Sequence, residues 1–166
     1  MFHKKEIKEI LSKFPKSRPP LDAGLERIYS IEYKKNRSGS SPTSYLSQRL
    51  EGWMHKKASL ALPVKKAQSY NTLEIGAGTL NQLPFEKSKG NYDFVEPMEF
   101  LYKNSPLLSQ TRNHFFDISE IPNNFRYDRI ISISVLDHVQ DLPELIKKSI
   151  KLLSSGGVFA CGISSE

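Results

Sequence analysis

Ten residues, Asn71–Leu80 (NTLEIGAGTL), restrict what this chain can fold into more than any other stretch. A short apolar run, Thr72–Ile75, carries one acidic residue, Glu74, and then meets Gly76 and Gly78 in a turn. The pattern predicts a strand, a tight turn and a helix start. Two positions without a Cβ let the backbone approach a ligand closely, and a helix N-terminus presents unpaired N–H groups. Strand, glycine turn and helix in this order open nucleotide-type sites in open α/β sheets. Two glycines alone also describe an ordinary tight turn, so the rest of the chain has to decide between the two.

From Tyr70 onward, strands are predicted at Thr72–Ile75, Tyr92–Val95, His114–Phe116, Arg129–Val135 and Val158–Ile163. A helix is predicted over Leu142–Leu153, with Pro143 in its first turn. Strands alternating with helix or loop predict an α/β fold: a doubly wound, mostly parallel sheet with right-handed crossovers.

The first third has a different texture. Ile7, Ile10, Leu11 and Phe14 fall on one side of a helix over Phe2–Phe14, which Pro15, Pro19 and Pro20 end. A second helix is predicted over Leu21–Lys35, and a loop over Asn36–Pro42. A third helix is predicted with Ser41 as its cap and Pro42 at its first position, running to about Leu60. Its apolar face would carry Tyr45, Leu46, Leu50, Trp53 and Met54. Residues 1–66 thus read as an N-terminal helical cap, and 67–166 as the α/β domain. The charge is divided the same way. Residues 1–66 carry 15 Lys and Arg against 6 Asp and Glu, and the remainder 9 against 12. A solvated helical face accounts for this bias, with an anionic acceptor, nucleic acid or membrane surface as the secondary reading.

With 38% hydrophobic and 25% charged residues, the composition is that of a soluble globular protein. No apolar run approaches the ~20 residues that span a bilayer, and MFHKKEIKEI lacks the apolar centre of a signal peptide. A cytoplasmic, reducing setting is expected. The one cysteine, Cys161, leaves no disulfide framework or Cys cluster, and is expected as a small core residue. The four histidines show no ligand spacing, so no metal is expected.

In a parallel sheet, ligands bind beyond the carboxyl ends of the strands. Glu74, Glu96, Asp117 and the pair Asp137–His138 all fall at such ends. Glu96 comes 18 residues after Gly78, about the interval at which an acidic group meets ribose hydroxyls, and its two oxygens match a cis-diol. Asp117 is placed to accept from the exocyclic amine of a purine, or else to cap a short helix at Ile118-Ser119-Glu120.

Taken together, Glu74-Ile75-Gly76-Ala77-Gly78, Glu96, Asp117, Tyr127-Asp128-Arg129-Ile130-Ile131 and Val135-Leu136-Asp137-His138-Val139 resemble class I S-adenosylmethionine-dependent methyltransferases. Leu152–Val158 is similar to that family's turn from helix into fifth strand. The resemblance implies a Rossmann-like sheet, with Glu74, Gly76, Ala77 and Gly78 around the methionine part of S-adenosylmethionine. It implies ribose contacts from Glu96 and Pro97 and adenine contacts from Asp117 and Ile118. Val135 and Asp137 would lie under the cofactor near its methyl group. RPP, NR and WMH elements in the first third further resemble bacterial methyltransferases associated with surface-polysaccharide genes. Two departures stand out. Leu80 occupies the place of the family's third glycine, which predicts a different path after Thr79. The family's sheet also has seven strands, so its C-terminal strands are expected to be missing from a truncated chain. The fifth strand would then be an open edge prone to self-association.

The resulting expectation is methyl transfer to a small-molecule or sugar-containing acceptor. His138, with an ordinary pKa of ~6.5, is the candidate general base, against a reading in which it bonds backbone at a helix start. Tyr33 and Arg37 are the candidate substrate residues, with Tyr29, Arg49, Trp53 and His55 nearby, though Tyr29 and Trp53 also read as helix-packing residues. An NAD(P)-dependent oxidoreductase is disfavoured because Asn81 stands where a last glycine would be needed. RNA methylation and a non-catalytic cofactor-binding module are the remaining alternatives. Nucleic acid is the less favoured partner, since aromatic and basic residues do not interleave as in RNA-binding modules.

Overall fold

Among the described residues, five strands, each parallel to its neighbours, form one sheet in the order β3-β2-β1-β4-β5 in the computed structural model. They are β1 (Thr72–Ile75), β2 (Tyr92–Val95), β3 (Asn113–Phe115), β4 (Tyr127–Ile133) and β5 (Leu153–Gly162). Among the described residues, the helices with continuous bounds are α1 (Pro42–Ala58), α2 (Glu99–Tyr102) and α3 (Leu142–Leu152). The structure describes residues 24, 27, 28, 30, 31, 35, 42–63, 69–137, 139 and 141–163, and at 42–44 the backbone alone. The expected helix over Phe2–Phe14, Ser41, Tyr29, Tyr33, Arg37 and His138 lie outside them. No helix among the described residues is long and apolar enough to cross a membrane.

The α/β expectation holds, and β1 and β2 have the predicted bounds. β4 stops at Ile133, two residues short of the prediction, because Ser134 turns into the left-handed region (φ 55°). β5 begins earlier than predicted. Tyr127 faces Leu153 but Arg129 faces Val158, so residues 154–157 bulge out, with Gly156 at φ 76°.

The sheet is covered on both faces. On one, Leu73, Ile75, Val95 and Ile130 pack with Leu145 and Leu152 of α3. Asp141 caps α3 by accepting from the Glu144 amide, and Pro143 suits its first turn, where no helical N–H bond is lost. On the other face, α1 lies over β4 and β5, with Ala58 and Met54 against Ile131 and Ile133. Here the expected apolar face of α1 is corrected. Tyr45, Leu46, Leu50 and Trp53 are exposed, while His55 and Ala58 are buried. The sheet selects a small, close-packing face: Met54 Sδ lies 3.2 Å from where a Cβ on Gly162 would stand. Trp53, exposed, carries Lys57 over its ring. Cys161 is likewise corrected from core to exposed, as it sits on the outermost strand.

Two buried charges cross-link the strands. Asp93 in β2, wholly buried, accepts from Arg112, from the Asn113 amide at 3.0 Å and from Tyr127 hydroxyl at 2.7 Å. Arg129 in β4, also wholly buried, donates to Glu86 and to the Ser59 carbonyl, under the Tyr70 ring.

Candidate functional site

The chain leaves β1 toward β2 on one side, and returns to β4 and β5 on the other. Strand order therefore reverses between β1 and β4, which opens a crevice at their carboxyl ends. Asn71–Leu80 delivers its glycine turn to this point. Gly76 has φ 73°, and its amide donates to the Val95 carbonyl at 2.8 Å. A Cβ added there would meet Val135 Cγ2 at 2.2 Å, so Val135, just past β4, sits directly against the turn. Gly78 has φ 52°, and its amide donates to Glu96 Oε2 at 2.8 Å. Met98 amide donates to the other oxygen, Oε1, at 3.0 Å. Glu96 thus joins the ends of β1 and β2. Burial pushes its pKa up, and the two amides oppose that shift. Each oxygen keeps lone-pair capacity beyond its one amide.

Leu80 answers the missing third glycine. It takes φ 65°, a conformation that glycine adopts freely, with its side chain wholly buried beside Ala77, Leu83, Tyr92, Phe94 and Tyr102. The left-handed backbone costs roughly 1–2 kcal/mol, and burying a leucine side chain returns about 1.5–3 kcal/mol. The loop therefore keeps a glycine-type backbone without the glycine.

Glu74 points away from α3, into the face that α1 covers. Tyr92 hydroxyl donates to its Oε2 at 2.6 Å. Burial pushes its pKa up to about 7, against opposing pulls from Tyr92, His55 and the Gln82 amide. An acid raised in the folded state stabilises fully below its unfolded value, and that stability is lost as pH climbs toward the folded value. Glu74→Gln should therefore raise the melting temperature of the ligand-free protein at pH 8. The gain, on the order of 3 kcal/mol, should shrink as pH falls toward 4.5, and thermal melts across that range check it. A variant less stable than wild type at pH 8 would refute the assignment.

Among the other expected site residues, Ala77 is buried in the core behind the turn, and Ile118 is buried against β1 and β2. Pro97, Asp117 and Asp137 are exposed at the same end of the sheet. Asp117 caps a short 3-10 helix, Ile118–Glu120, by accepting from the Ser119 amide at 2.7 Å. Three polar residues around Glu74 were not foreseen as its partners: Tyr92, Gln82 and His55, the last with Glu51 beside it. Tyr92 was legible in principle, because in parallel register it pairs with Thr72, on the same sheet face as Glu74. His55 and Glu51 share one side of α1 at i, i+4, but Gln82 meets His55 across 27 residues with no periodic signal.

A family model described as a methyltransferase domain matches residues 45–163, from within α1 to the residue after β5. No curated protein matches. Solved structures with this fold include the plantazolicin methyltransferase BpumL in complex with a monoazolic desmethylPZN analogue and SAH (16% identity, TM-score 0.60, covering 91% of this chain and 58% of that one). Coclaurine N-methyltransferase bound to N-methylheliamine and SAH aligns over 93% of this chain and 48% of its own (15% identity, TM-score 0.58). A third is an S-adenosylmethionine-dependent methyltransferase from Clostridium acetobutylicum, at 20% identity and TM-score 0.50, covering 81% and 55%. This chain thus spans about half the length of these relatives. At such identities the likeness establishes the fold.

Proposed function

Because the chain belongs to the methyltransferase-domain family, we propose that it binds S-adenosylmethionine at the crevice between β1 and β4 and transfers the methyl group to a small-molecule acceptor. The observation that carries this reading is the Glu96 carboxylate, buried at the end of β2 and fixed by the amides of Gly78 and Met98. Such a group, with lone pairs left over, suits a ribose diol, and its neighbours suit the rest of the donor. Gly76 and Gly78 give close backbone approach, and Asp117 with Ile118 stands at the next strand end for the adenine. Val135 and Asp137 flank the turn on the β4 side.

When bound, the sulfonium supplies a methyl group that leaves with the sulfur's electron pair retained on the thioether product. The chain's part is alignment and exclusion of water, which in favourable cases is worth up to about 7–11 kcal/mol. An acceptor hydroxyl or ammonium must also lose a proton, and His138 is the base we assign to it.

The acceptor side is assigned to the N-terminal cap of residues 1–66. The C-terminal half of α1 lies on β4 and β5, with Met54 at the Gly162 end and Ser59 bonded to Arg129. Its N-terminal half, Pro42–Leu50, therefore extends past the carboxyl end of β5, over roughly 12 Å at 1.5 Å per residue. Tyr45, Leu46 and Leu50 are exposed on that extension, and Arg49 lies over the Tyr45 ring. Such a surface suits an acceptor with a flat apolar or sugar-type CH face, with Tyr33 and Arg37 assigned as further contacts.

Calorimetry with S-adenosylhomocysteine is the direct test. Wild type should bind, and Glu96→Ala should weaken binding about tenfold or more, as for the loss of charged hydrogen bonds. Affinity untouched by that change would remove the ribose assignment. A melting-temperature shift with NADH but none with S-adenosylmethionine would instead indicate a hydride-transfer enzyme.

A further inference from the structure

The contacts that join α1 to the glycine-loop segment are separate from the donor contacts assigned to Glu96 and the two glycines. His55 is only 4% exposed. Its Nδ1 lies 2.9 Å from Gln82 Oε1, and its Nε2 lies 3.5 Å from Glu51 Oε1. The second distance is an ion-pair approach rather than a hydrogen bond, since Nε2 makes none. One turn earlier on α1, Glu51 Oε1 accepts from Asn81 Nδ2 at 3.2 Å. The Phe85 ring lies parallel to the imidazole, 6.4 Å away. One side of α1 therefore holds Asn81 and Gln82, the two residues directly after the left-handed Leu80.

The chemistry of this contact favours a charged ring. Both oxygens that face it are acceptors, and only the imidazolium carries N–H on both nitrogens. A neutral ring protonated at Nδ1 would turn its Nε2 lone pair toward the Glu51 carboxylate. The charged groups around the ring are few. Glu51 faces it from α1 and Glu74 from β1, the latter held by Tyr92 of β2. From the loop come Gln82 and Phe85, and the next carboxylate, Glu86, is already engaged by Arg129. Burial pulls the ring's pKa down, but the Glu51 and Gln82 contacts and the nearby carboxylates outweigh it and leave it raised.

We propose that His55 is a positioning residue whose imidazolium, bridging Glu51 and Gln82, clamps α1 to the glycine-loop segment and holds the loop in its donor-binding shape. This rests on the loop being the donor site. A ring with a raised pKa keeps its charge to higher pH, so the clamp is complete at low pH and weakens as pH rises through that value, when the Nε2 lone pair comes to face the Glu51 carboxylate. Donor affinity should fall in the same window. Glu74 titrates nearby, so the test must move His55 alone.

Glu51→Gln does so, keeping size and the polar contact to Asn81 while removing the charge that favours the imidazolium. S-adenosylhomocysteine affinity is measured from pH 6 to 9 for wild type, Glu51→Gln and His55→Gln, with the ring proton of His55 followed by NMR. Wild-type affinity should fall by up to about tenfold across the ring's titration, the size of the difference between a charged and a neutral hydrogen bond. Glu51→Gln should shift the ring's titration and the affinity inflection to lower pH together. His55→Gln should bind about tenfold more weakly at pH 6 and lose the inflection. Should His55→Gln fail to fold, the paired shift in Glu51→Gln still decides. An affinity profile that stays put while the ring's titration moves overturns the proposal, as does wild-type affinity in folded His55→Gln. Absence of binding by wild type at every pH overturns the donor reading and this proposal with it.

Discussion

Gly76→Ala should destabilise the protein by about 2–5 kcal/mol, the sum of a left-handed backbone penalty and an overpacked contact. The backbone at this residue has φ 73°, and the new methyl would stand 2.2 and 2.5 Å from the two Cγ atoms of Val135. Neither problem relaxes easily. Gly76 is held by its bond to the Val95 carbonyl, and Val135 belongs to the segment leaving β4. For a domain of this size the loss should appear as a fall in Tm of roughly 5–15 °C. The cause is open to a double-mutant cycle. Val135→Ala removes both Cγ atoms, so Gly76→Ala/Val135→Ala should cost less than the sum of the single changes by about 1–3 kcal/mol. Strictly additive costs would show that the Val135 contact is not what excludes a side chain.

The second large effect is expected at Asp93. Five donors from four groups converge on this wholly buried carboxylate: two from the Arg112 guanidinium, the Asn113 amide and side chain, and the Tyr127 hydroxyl. They belong to β3, to the turn before it and to β4, so one side chain laces three strands. Asp93→Ala strands these donors, of which the Tyr127 hydroxyl is the most deeply buried. A cost of about 3–5 kcal/mol in urea-unfolding stability is expected, as for breaking a buried pair. Half-exposed Arg112 contributes the smaller share, because water screens it. Asp93→Asn should fall between, keeping an acceptor for Tyr127. A cost for Asp93→Ala below about 1 kcal/mol would mean that water replaces the lost acceptor.

What the sequence made legible is what depends on local pattern. Thr72–Ile75 and Tyr92–Val95 are fully buried strands with turn residues at both ends, and their bounds emerged unchanged. Gly76 and Gly78 were singled out as turn residues, and both take positive φ. Glu96 was singled out by its distance from Gly78, and the two are hydrogen-bonded. What depends on which surface meets which was not legible. The leucines and aromatics of α1 are its most apolar side, yet the sheet took the side with Met54, His55 and Ala58. Close approach to Gly162 and an acceptor for a buried histidine outweighed the apolar stripe, and neither is written at helical spacing. The bend after Ile133 was missed for a similar reason. Ser134 turns because its amide finds the Gly162 carbonyl, 28 residues on in a strand formed last in sequence.

Leu80 ties the site's dynamics to the core. A glycine at that position would let the loop change shape as a hinge, with little effect on the packing behind it. With leucine, the left-handed backbone and a wholly buried side chain are one feature. Opening the loop would pull that side chain from among Ala77, Leu83, Tyr92, Phe94 and Tyr102, so it is a sub-global unfolding event and not a local one. The amides of Gly78 and Leu80, bonded to Glu96 and to the Ala77 carbonyl, should then exchange slowly. A site of this kind meets its ligand already formed, and it depends for that readiness on the integrity of the core.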